Sequence, residues 1–419
     1  MITFPYTLRA LNSRNYRLFF IAQAVSLTGL WMHRTAMGWL VYRLTNSNSA
    51  LGIMDFAASV PILFLTTIAG ALMERWDLRK TLIICQAGCM TVAAALAFMT
   101  LTGLVSFHFT VFAALCLGTI DSFELPCRYS LVSYMVEKRE DVSNAVALKS
   151  VNFNATRMFG PTIGGFVIHA VGEGICFLCN GFAYLTTIFA LSRMKMTRPP
   201  IGRTGGGDSH PVRDMLEGFR IARSFAPNRY LLLLMAMTGF FCFPSIVLMP
   251  AMARSVMGGT SETFGFLLMG VAIGALSGSF IMASLKSTGR LNWWCTRMSL
   301  AFGISVILFS FSRSVWVGVA FAAPVGFSMV TSTIACNTLL QTMSPAESRS
   351  RIMSIYTFAL LAVPPFGSLV AGKMGDIFGT NWSLFICGVI CAAFAIYFMR
   401  KLDKHDGEIT AALKEQGAL

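Results

Sequence analysis

Twelve long apolar segments run through this chain of 419 residues and constrain its fold more than any other feature. A helix needs about 20 predominantly apolar residues to cross the hydrocarbon core of a bilayer. The segments lie at approximately 16–42, 49–73, 79–102, 107–129, 143–170, 174–193, 229–253, 262–285, 291–312, 314–341, 350–373 and 380–400. We therefore predict an all-α polytopic membrane protein with twelve transmembrane helices.

The amino-acid composition agrees with a membrane protein and argues against binding to nucleic acid. Only 12% of the residues are charged and 55% are hydrophobic, whereas ordinary soluble domains are about 25% charged. The net charge of +14 is spread over loops, and no basic aromatic domain is present that would form a nucleic-acid platform. We expect no nucleic-acid partner.

The basic residues predict the orientation in the membrane. They concentrate in alternate loops and at the two ends, which is typical of cytoplasmic segments. One set comprises Arg75, Arg79, Lys80, Arg128, Lys138, Arg139, Lys286, Arg290, Arg349 and Arg351. The opposite loops hold little more than Arg43, Arg254, Arg313 and Lys373. Both termini and the middle loop are thus expected in the cytoplasm.

The two halves of the chain repeat each other. The segment 139–165 pairs with 346–372 at one register, so that Gly160 matches Gly367 and Gly165 matches Gly372. We predict a six-helix half at 1–193, a cytoplasmic linker at 194–228 with an amphipathic helix near 212–225, a second six-helix half at 229–400 and a cytoplasmic tail at 401–419. Two such halves are a common transporter design, with the site between them near the bilayer midplane.

The loop after the second segment, GALMERWDLRK at 70–80, resembles the signature motif of the major facilitator superfamily, G-x-L-x-D-R-x-G-R-[RK]. The matching residues are Gly70, Leu72, Arg75, Arg79 and Lys80, with Glu74 in place of the usual aspartate. The resemblance implies a cytoplasmic latch in which the carboxylate faces the positive N-terminus of a helix. The eleventh segment, preceded by Arg349 and Arg351, is the expected partner. The alternative is a basic loop that only sets the topology.

The fifth segment resembles the exporter-type motif of the same superfamily, G-P-x-x-G-G, through Gly160, Pro161, Gly164 and Gly165. The eighth segment carries one glycine per turn on one face, at Gly270, Gly274 and Gly278. Small residues let helix backbones approach closely in a membrane. We expect these two glycine faces to pack together.

Three further segments, 26–52, 124–148 and 339–356, resemble the drug and siderophore exporter branch of the superfamily. This resemblance implies efflux driven by proton exchange, through a protein that alternates between inward-open and outward-open states. A monomer in contact with membrane lipids suffices for that mechanism. The resemblance also implies a place in the bacterial inner, or cytoplasmic, membrane.

Polar residues inside the membrane segments are the candidate substrate or proton pathway, because they are expensive to bury in lipid. Proton coupling needs a group that is protonated in one state and ionised in another, which Asp55, Asp121, Glu124 and His33 offer. Arginine keeps its proton, so Arg34 and Arg157 are expected to be counter-charges or substrate contacts. The remaining candidates are Trp31, Asn154, Asn337, Gln341 and Tyr356.

Each candidate has a structural alternative. Asp121 and Glu124 can simply pair with Arg128, and His33 can be a packing residue. Lys149 lies near the inner end of its segment and can extend to the interface, whereas Arg157 lies deeper and is favoured for function. The aromatic residues Trp31, Phe153, Phe240, Phe241, Phe327 and Tyr356 suit an aromatic substrate, but most of the 35 phenylalanines must contact lipid or other helices.

The sequence therefore predicts a proton-coupled secondary exporter of a small amphiphilic molecule rather than an enzyme. An acidic siderophore is the first choice of substrate and a broad range of drugs the second. An importer of a nutrient or lipid on the same fold stays open, because fold does not fix function. The 11 cysteines lie almost entirely in apolar segments, where they serve as small packing residues, so no metal site and no cofactor are expected.

Overall fold

The computed structural model describes residues 6–73, 76–194, 220, 223, 225–285 and 288–416. The long elements in these ranges are all helices, and each of the twelve predicted segments overlaps one of them. Their bounds are α1 Arg14–Thr45, α2 Asn48–Met73, α3 Leu78–Leu101, α4 Phe107–Met135, α5 Val142–Val171, α6 Glu173–Arg193, α7 Ala226–Cys242, α8 Ser261–Ser284, α9 Leu291–Ser310, α10 Val315–Met343, α11a Ala346–Leu361, α11b Val363–Phe378, α12 Thr380–Lys404 and α13 Asp406–Glu415.

Among the described residues, ten segments are long and apolar enough to cross a membrane. The two predicted segments outside this group are α1 and α5, which have 32 and 30 residues. Their length is ample, but they carry many of the charged and polar residues that the sequence singles out. The all-α membrane fold is confirmed, and the two long helices outside this group, α1 and α5, hold most of the candidate site in the first half.

Prolines interrupt two helices that the sequence predicts to be continuous. Helix α7 ends at Cys242 and is followed by short helices at Pro244–Val247 and Met249–Ala251 and a π-helical turn at Met252–Val256. The eleventh segment divides at Ala362, immediately before Val363, Pro364 and Pro365. Proline has no N–H to donate and its ring clashes with the preceding turn, so the helix stops or bends there.

The chain forms two compact units. The first comprises Met1–Thr45 and Ala57–Gly205, and the second comprises Asn46–Phe56 and Gly206–Leu419. The beginning of α2 therefore belongs with the second unit, although the predicted halves assign it to the first. The predicted amphipathic helix at 212–225 falls mostly outside the described residues.

The glycines of α5 allow α1 to approach it closely within the first unit. A Cβ atom added to Gly160 would lie 2.5 Å from Trp31 Cβ, and one added to Gly164 would lie 3.1 Å from Met32 Cα. The sequence suggests the eighth segment as the partner of these glycines, whereas the structure places α1 against them. A similar glycine spacing in two helices therefore does not show that these helices pack against each other.

The glycines of α8 serve the same purpose in the second unit, where their partner is α10. An added Cβ at Gly274 would collide with the backbone carbonyl of Ala323, and one at Gly278 would lie 2.6 Å from Thr331 Oγ1. Helix α11b repeats the role of α5, because an added Cβ at Gly367 would collide with the backbone of Phe240 on α7. The repeat seen in the sequence thus corresponds to the same packing device in each unit.

The segment predicted as a tail is a helix packed onto the second unit. In α13 the side chains of Ile409 and Leu413 are buried within the core of that unit. The Asn292 side-chain amide donates to Asp406 Oδ1 at 3.0 Å at the start of the helix. The two apolar residues are four positions apart, which places them on one face of a helix.

Candidate functional site

A linked set of charged and aromatic side chains lies within the first unit, on α1, α3, α4 and α5. On α1, the Arg34 guanidinium contacts the Asp121 carboxylate of α4, with Nη2 3.3 Å from Oδ2. Arg34 is exposed, whereas the Asp121 side chain is 17% exposed. The ion pair thus joins a mostly buried carboxylate to an arginine that reaches an open surface.

Glu124 is the most deeply buried member of the set, at 2% exposure. It forms an ion pair with Arg128 one helical turn further along α4. The Gln86 side-chain amide of α3 donates to Glu124 Oε1 at 2.8 Å, and the Cys89 thiol lies 3.9 Å from Oε2. A buried carboxylate is tolerated only when its charge and lone pairs are satisfied in this way.

The structure corrects the placement of Arg128. The sequence counts it among the cytoplasmic loop residues, but α4 extends to Met135 and Arg128 is buried within it. The prediction of a loop is wrong because the charge of Arg128 is compensated by Glu124, which makes a charged residue acceptable inside the helix. The alternative of pairing with Arg128 therefore holds for Glu124, while Asp121 pairs with Arg34.

Trp31 contacts both arginines of the candidate pathway. The Arg34 guanidinium carbon lies 5.3 Å from the centroid of the Trp31 ring, and that of Arg157 lies 5.8 Å from it. The ring of Phe153 meets Trp31 edge-on at a centroid distance of 5.8 Å. A cation over a tryptophan face is attracted by the ring quadrupole, by about 0.5–1 kcal/mol at exposed sites. The ring does not neutralise either charge, so Arg157, which has no carboxylate partner among the described residues, remains available for an anion, whereas Arg34 is paired with Asp121.

The other predicted site residues of the first half have contacts of their own or belong to the second unit. His33 is buried at 1% exposure and packs edge-on against Phe177 of α6 at 4.8 Å. Asn154 donates its amide to the Ser150 carbonyl of its own helix at 2.8 Å. Asp55 belongs to the part of α2 that groups with the second unit.

Three more predicted residues are in the second unit. Gln341 donates its amide to Asn337 Oδ1 at 2.6 Å along α10. Tyr356 of α11a is buried in the core of that unit, and its hydroxyl donates to the Thr333 carbonyl at 2.9 Å. The structure therefore gives Tyr356 a packing and hydrogen-bonding role.

Two basic residues of the predicted latch donate hydrogen bonds to backbone carbonyl groups within their own units. Asp77 caps α3, accepting hydrogen bonds from the backbone N–H groups of Arg79 and Lys80. The Arg79 side chain donates to the Ser192 carbonyl at 2.9 Å, and that of Arg349 donates to the Ser344 carbonyl at 3.1 Å. Glu74 and Arg75 lie outside the described residues. The latch stays a prediction, as does the part of Gly70 and Arg351 in it.

The acidic residues of the set also have the spacing of metal ligands. One ligand atom each from Cys89, Asp121 and Glu124 lies within 4.8 Å of the others. Both carboxylates already have an arginine partner, Arg34 and Arg128. A divalent cation would have to displace or repel these arginines, so the geometry favours compensated ion pairs over a cation site.

Sequence reasoning missed Gln86, which is buried and satisfies one oxygen of Glu124. The available signal was a glutamine inside the apolar third segment. A buried side-chain amide needs partners from neighbouring helices, so its presence predicts a polar contact there. The spacing of Glu124 and Arg128, one helical turn, also signals their ion pair.

Comparison with known proteins places these features in a family. A sequence profile described as transmembrane secretion effector, from the major facilitator superfamily, matches residues 6–416. The chain is 24% identical over 391 residues to the staphyloferrin A transporter of Staphylococcus aureus, covering 92% of this chain and 96% of that protein. It is 21% identical over 407 residues to the enterobactin exporter of Shigella flexneri, covering 95% of each.

Solved structures show the same fold. A nucleoside transporter superimposes with a TM-score of 0.72 at 11% identity, covering 93% of this chain and 99% of the other. A bacterial homologue of the lysosomal transporter Spinster gives a TM-score of 0.72 at 14% identity, covering 93% and 98%. At these identities the likeness concerns the fold and not the substrate.

Proposed function

Because this chain belongs to the transmembrane secretion effector family of the major facilitator superfamily, we propose that it exports an acidic siderophore from a bacterial cell. The export is secondary transport by alternating access, driven by protons moving in the opposite direction. The substrate is a small molecule that carries negative charge together with apolar or aromatic groups.

The relatives supply the substrate class. One is named as a transporter of staphyloferrin A and another as an exporter of enterobactin, and each matches more than nine-tenths of this chain. Neither is above 24% identity, so the particular siderophore is not carried over. The name of the first relative gives no direction of transport, and export is proposed from the second.

The observation that carries the proposal is the environment of Arg157. It lies at the sixteenth position of a 30-residue membrane helix, is exposed, and rests against the face of Trp31. Within the described residues it forms no ion pair. A charge facing lipid near the middle of a bilayer costs about 2.5–3.5 kcal/mol on insertion scales. A water-filled pathway that admits an anionic ligand explains why a charged side chain is tolerated at this depth.

The carboxylates of the same set are the proposed proton site. For exchange in opposite directions, Asp121 would take up a proton while the site faces the outside and give it up while the site faces the cytoplasm. The Arg34–Asp121 ion pair would then break in the outward-facing state and form again in the inward-facing state. Glu124, held by Arg128 and Gln86, is proposed to orient this part of α4.

The proposed setting follows from the family and from the basic loops. The protein is placed in the bacterial inner membrane, surrounded by lipid, with both termini in the cytoplasm. It is proposed to act as a monomer, since one chain contains both six-helix halves. The proposed domains are the two six-helix halves at 1–193 and 229–400, joined by the linker at 194–228.

Siderophore secretion by cells tests the proposal. A bacterial strain that makes enterobactin but lacks its exporter would express this chain or its Arg157→Ala variant. We expect the wild-type chain to raise enterobactin in the medium, and the variant, present in the membrane in equal amount, to leave secretion at the level of the empty strain. A parallel strain producing staphyloferrin A examines the second siderophore.

A broad-range drug exporter is the second candidate, and the cluster of Trp31, Phe153 and exposed aromatic residues favours it. In the same strains, that function would give resistance to cationic dyes with no change in siderophore secretion. Such a result would replace the siderophore proposal.

A further inference from the structure

We infer that Lys149 and Arg157 together form a two-point anion site on α5, so that the substrate is an elongated molecule with acidic groups at both ends. The inference rests on the proposed function and deepens it. The sequence names Arg34 and Arg157 as the cations that contact an anionic substrate. Because Arg34 is paired with Asp121, Lys149 takes its place in this inference as the second cation.

The first observation is the charge balance of the set. With Lys149 of α5 added, because it lies over the ring of Tyr129 beside Arg128, the set contains four cations and two carboxylates, Asp121 and Glu124. Each carboxylate is paired, one with Arg34 and the other with Arg128. Two cations are left over, and they are Lys149 and Arg157, which form no ion pair among the described residues.

The second observation is that aromatic faces hold both remaining cations. The Lys149 ammonium lies 3.2 Å from the centroid of the Tyr129 ring on α4. The Arg157 guanidinium lies over Trp31 in the same manner. A ring face positions a cation without neutralising it, which preserves its charge for a ligand. Tyr129 is 65% exposed, so this end of the set is open.

The third observation is the spacing along α5. Lys149, Phe153 and Arg157 are four residues apart and share one face of the helix. With a rise of about 1.5 Å per residue, the two cations are anchored about 12 Å apart. Phe153 lies between them and is 38% exposed. The face therefore presents charge, ring and charge in that order, which is complementary to an anion with an apolar or aromatic middle.

The position of the Lys149 side chain argues against simple extension to the interface. The ammonium lies over the ring of Tyr129. Tyr129 is six residues before the end of α4 and Lys149 is seven residues after the start of α5, so both side chains lie well inside their helices. A lysine that reached for bulk water would extend beyond the ends of these helices. Here it remains beside the ring, on the same face as Arg157.

Binding of matched small anions to the purified full-length protein tests the two-point site independently of transport. Sebacate has carboxylates at both ends of a ten-carbon chain, and its monomethyl ester has one. Titration calorimetry should give a dissociation constant at least about tenfold lower for sebacate than for the ester with the wild-type protein, the factor expected for about 1.4 kcal/mol.

Variants of Lys149 complete the experiment. Lys149→Gln should bind sebacate and the ester equally, and Lys149→Arg should restore the preference. The control is Lys401→Gln on α12, because Lys401 also lies over a tyrosine, Tyr397, at 5.7 Å. The control should behave as the wild type. Equal binding of both probes by the wild type, or an unchanged preference in Lys149→Gln, would overturn the two-point site.

Siderophore export separates this inference from the proposed function. If the wild-type chain secretes siderophore and Lys149→Gln secretes it with an unchanged KM, the proposed function holds and the two-point site fails. If the wild-type chain secretes none, the proposed function fails, whatever sebacate does. The expected result is secretion by the wild type with a KM raised about tenfold or more in Lys149→Gln.

Discussion

Two guanidinium groups lie over the indole of Trp31, that of Arg34 at 5.3 Å and that of Arg157 at 5.8 Å from its ring centroid. The two arginines differ in their other contacts, because only Arg34 also has a carboxylate partner, Asp121. At the scale of single residues, this difference assigns Arg157 to the substrate and the Arg34–Asp121 pair to coupling.

Arg157→Ala should reduce the kcat/KM of siderophore export by about tenfold to a hundredfold, the effect of losing one hydrogen bond to a charged group, worth about 1.5–3 kcal/mol. The measurement is initial export rates against siderophore concentration. Arg193→Ala is the control, because Arg193 lies over the Phe189 ring at 5.0 Å near the end of α6. Equal rates for the two variants would remove Arg157 from the pathway.

Asp121→Asn should uncouple transport from the proton gradient. Asparagine has the same shape but no proton to exchange, so siderophore should still move down its own gradient while an imposed pH gradient no longer drives accumulation. Fluxes with and without a pH gradient in proteoliposomes measure this. Asp141→Asn provides a matched control, since Asp141 also pairs with an arginine, Arg9, at 2.9 Å. A variant at Asp121 that still accumulates substrate against its gradient would exclude this carboxylate.

At the scale of elements, the beginning of α2 illustrates how one residue can hold a helix in place. Asp376 of α11b accepts hydrogen bonds from the backbone N–H groups of Asn48 and Ser49 at 2.6 and 3.1 Å, and from the Ser47 hydroxyl at 2.7 Å. Gly372 allows the two backbones to approach, because an added Cβ there would lie 2.5 Å from the Asn48 carbonyl oxygen. A carboxylate at a helix N-terminus satisfies unpaired donors and opposes the helix dipole.

Asp376→Ala should therefore destabilise the protein by about 0.5–2 kcal/mol, the usual cost of losing an N-terminal cap. Thermal unfolding of the detergent-purified protein measures the change as a lower Tm. Asp403→Ala should have a smaller effect, because Asp403 forms only an exposed ion pair with Arg297 at 3.6 Å and such pairs contribute little. A Tm for Asp376→Ala equal to that of Asp403→Ala would mean that the cap does not stabilise α2.

Gly274→Val should destabilise the contact between α8 and α10. An added Cβ would meet the carbonyl of Ala323, which is backbone and cannot move aside as a flexible side chain would. Overpacking of this kind costs about 1–3 kcal/mol or more, which should lower both the Tm and the yield of folded protein. Gly407→Val is the control, since an added Cβ at Gly407 meets nothing within 4 Å.

The sequence predicts elements better than contacts. Runs of apolar residues locate every long helix in the part of the chain that the structure describes, because the length of a bilayer crossing is set by the membrane and not by the partner helix. Pro244 and Pro364 indicate breaks in a helix, but each lies within a continuous apolar run, so the sequence predicts one unbroken helix at each place. The sequence does not predict which helix packs against Gly160. A glycine indicates that another backbone approaches closely, but it does not identify the helix that approaches.

The sequence predicts which charged residues belong to the candidate site, but it does not predict which of them form ion pairs. Charges within apolar runs indicate Arg34, Asp121 and Arg157 directly, since charge is expensive there. Which carboxylate neutralises which arginine depends on the positions of α1 and α4 in space. The sequence gives Arg34 and Arg157 the same possible roles, as counter-charges or substrate contacts, and the structure distinguishes them by the ion pair of Arg34 with Asp121.

At the scale of the whole molecule, the two units use one packing device twice, but only the first contains the charged set. The glycines at 160 and 367 occupy matching positions and each admits a neighbouring helix, α1 or α7. At the position that matches Arg157, the second half has Pro364. A transporter with shared packing and a one-sided charge set is expected to bind its anion mainly through the first unit.

Membrane vesicles of opposite orientation test the central claim, export of an acidic siderophore, most directly. Inverted vesicles containing the wild-type chain and energised by a proton gradient should accumulate radiolabelled enterobactin or staphyloferrin A, because their outer surface is the cytoplasmic face. Right-side-out vesicles should show no uptake, and inverted vesicles with Arg157→Ala should fall to the level of vesicles without the protein. Uptake by right-side-out vesicles, with none by inverted ones, would contradict the account and identify an importer.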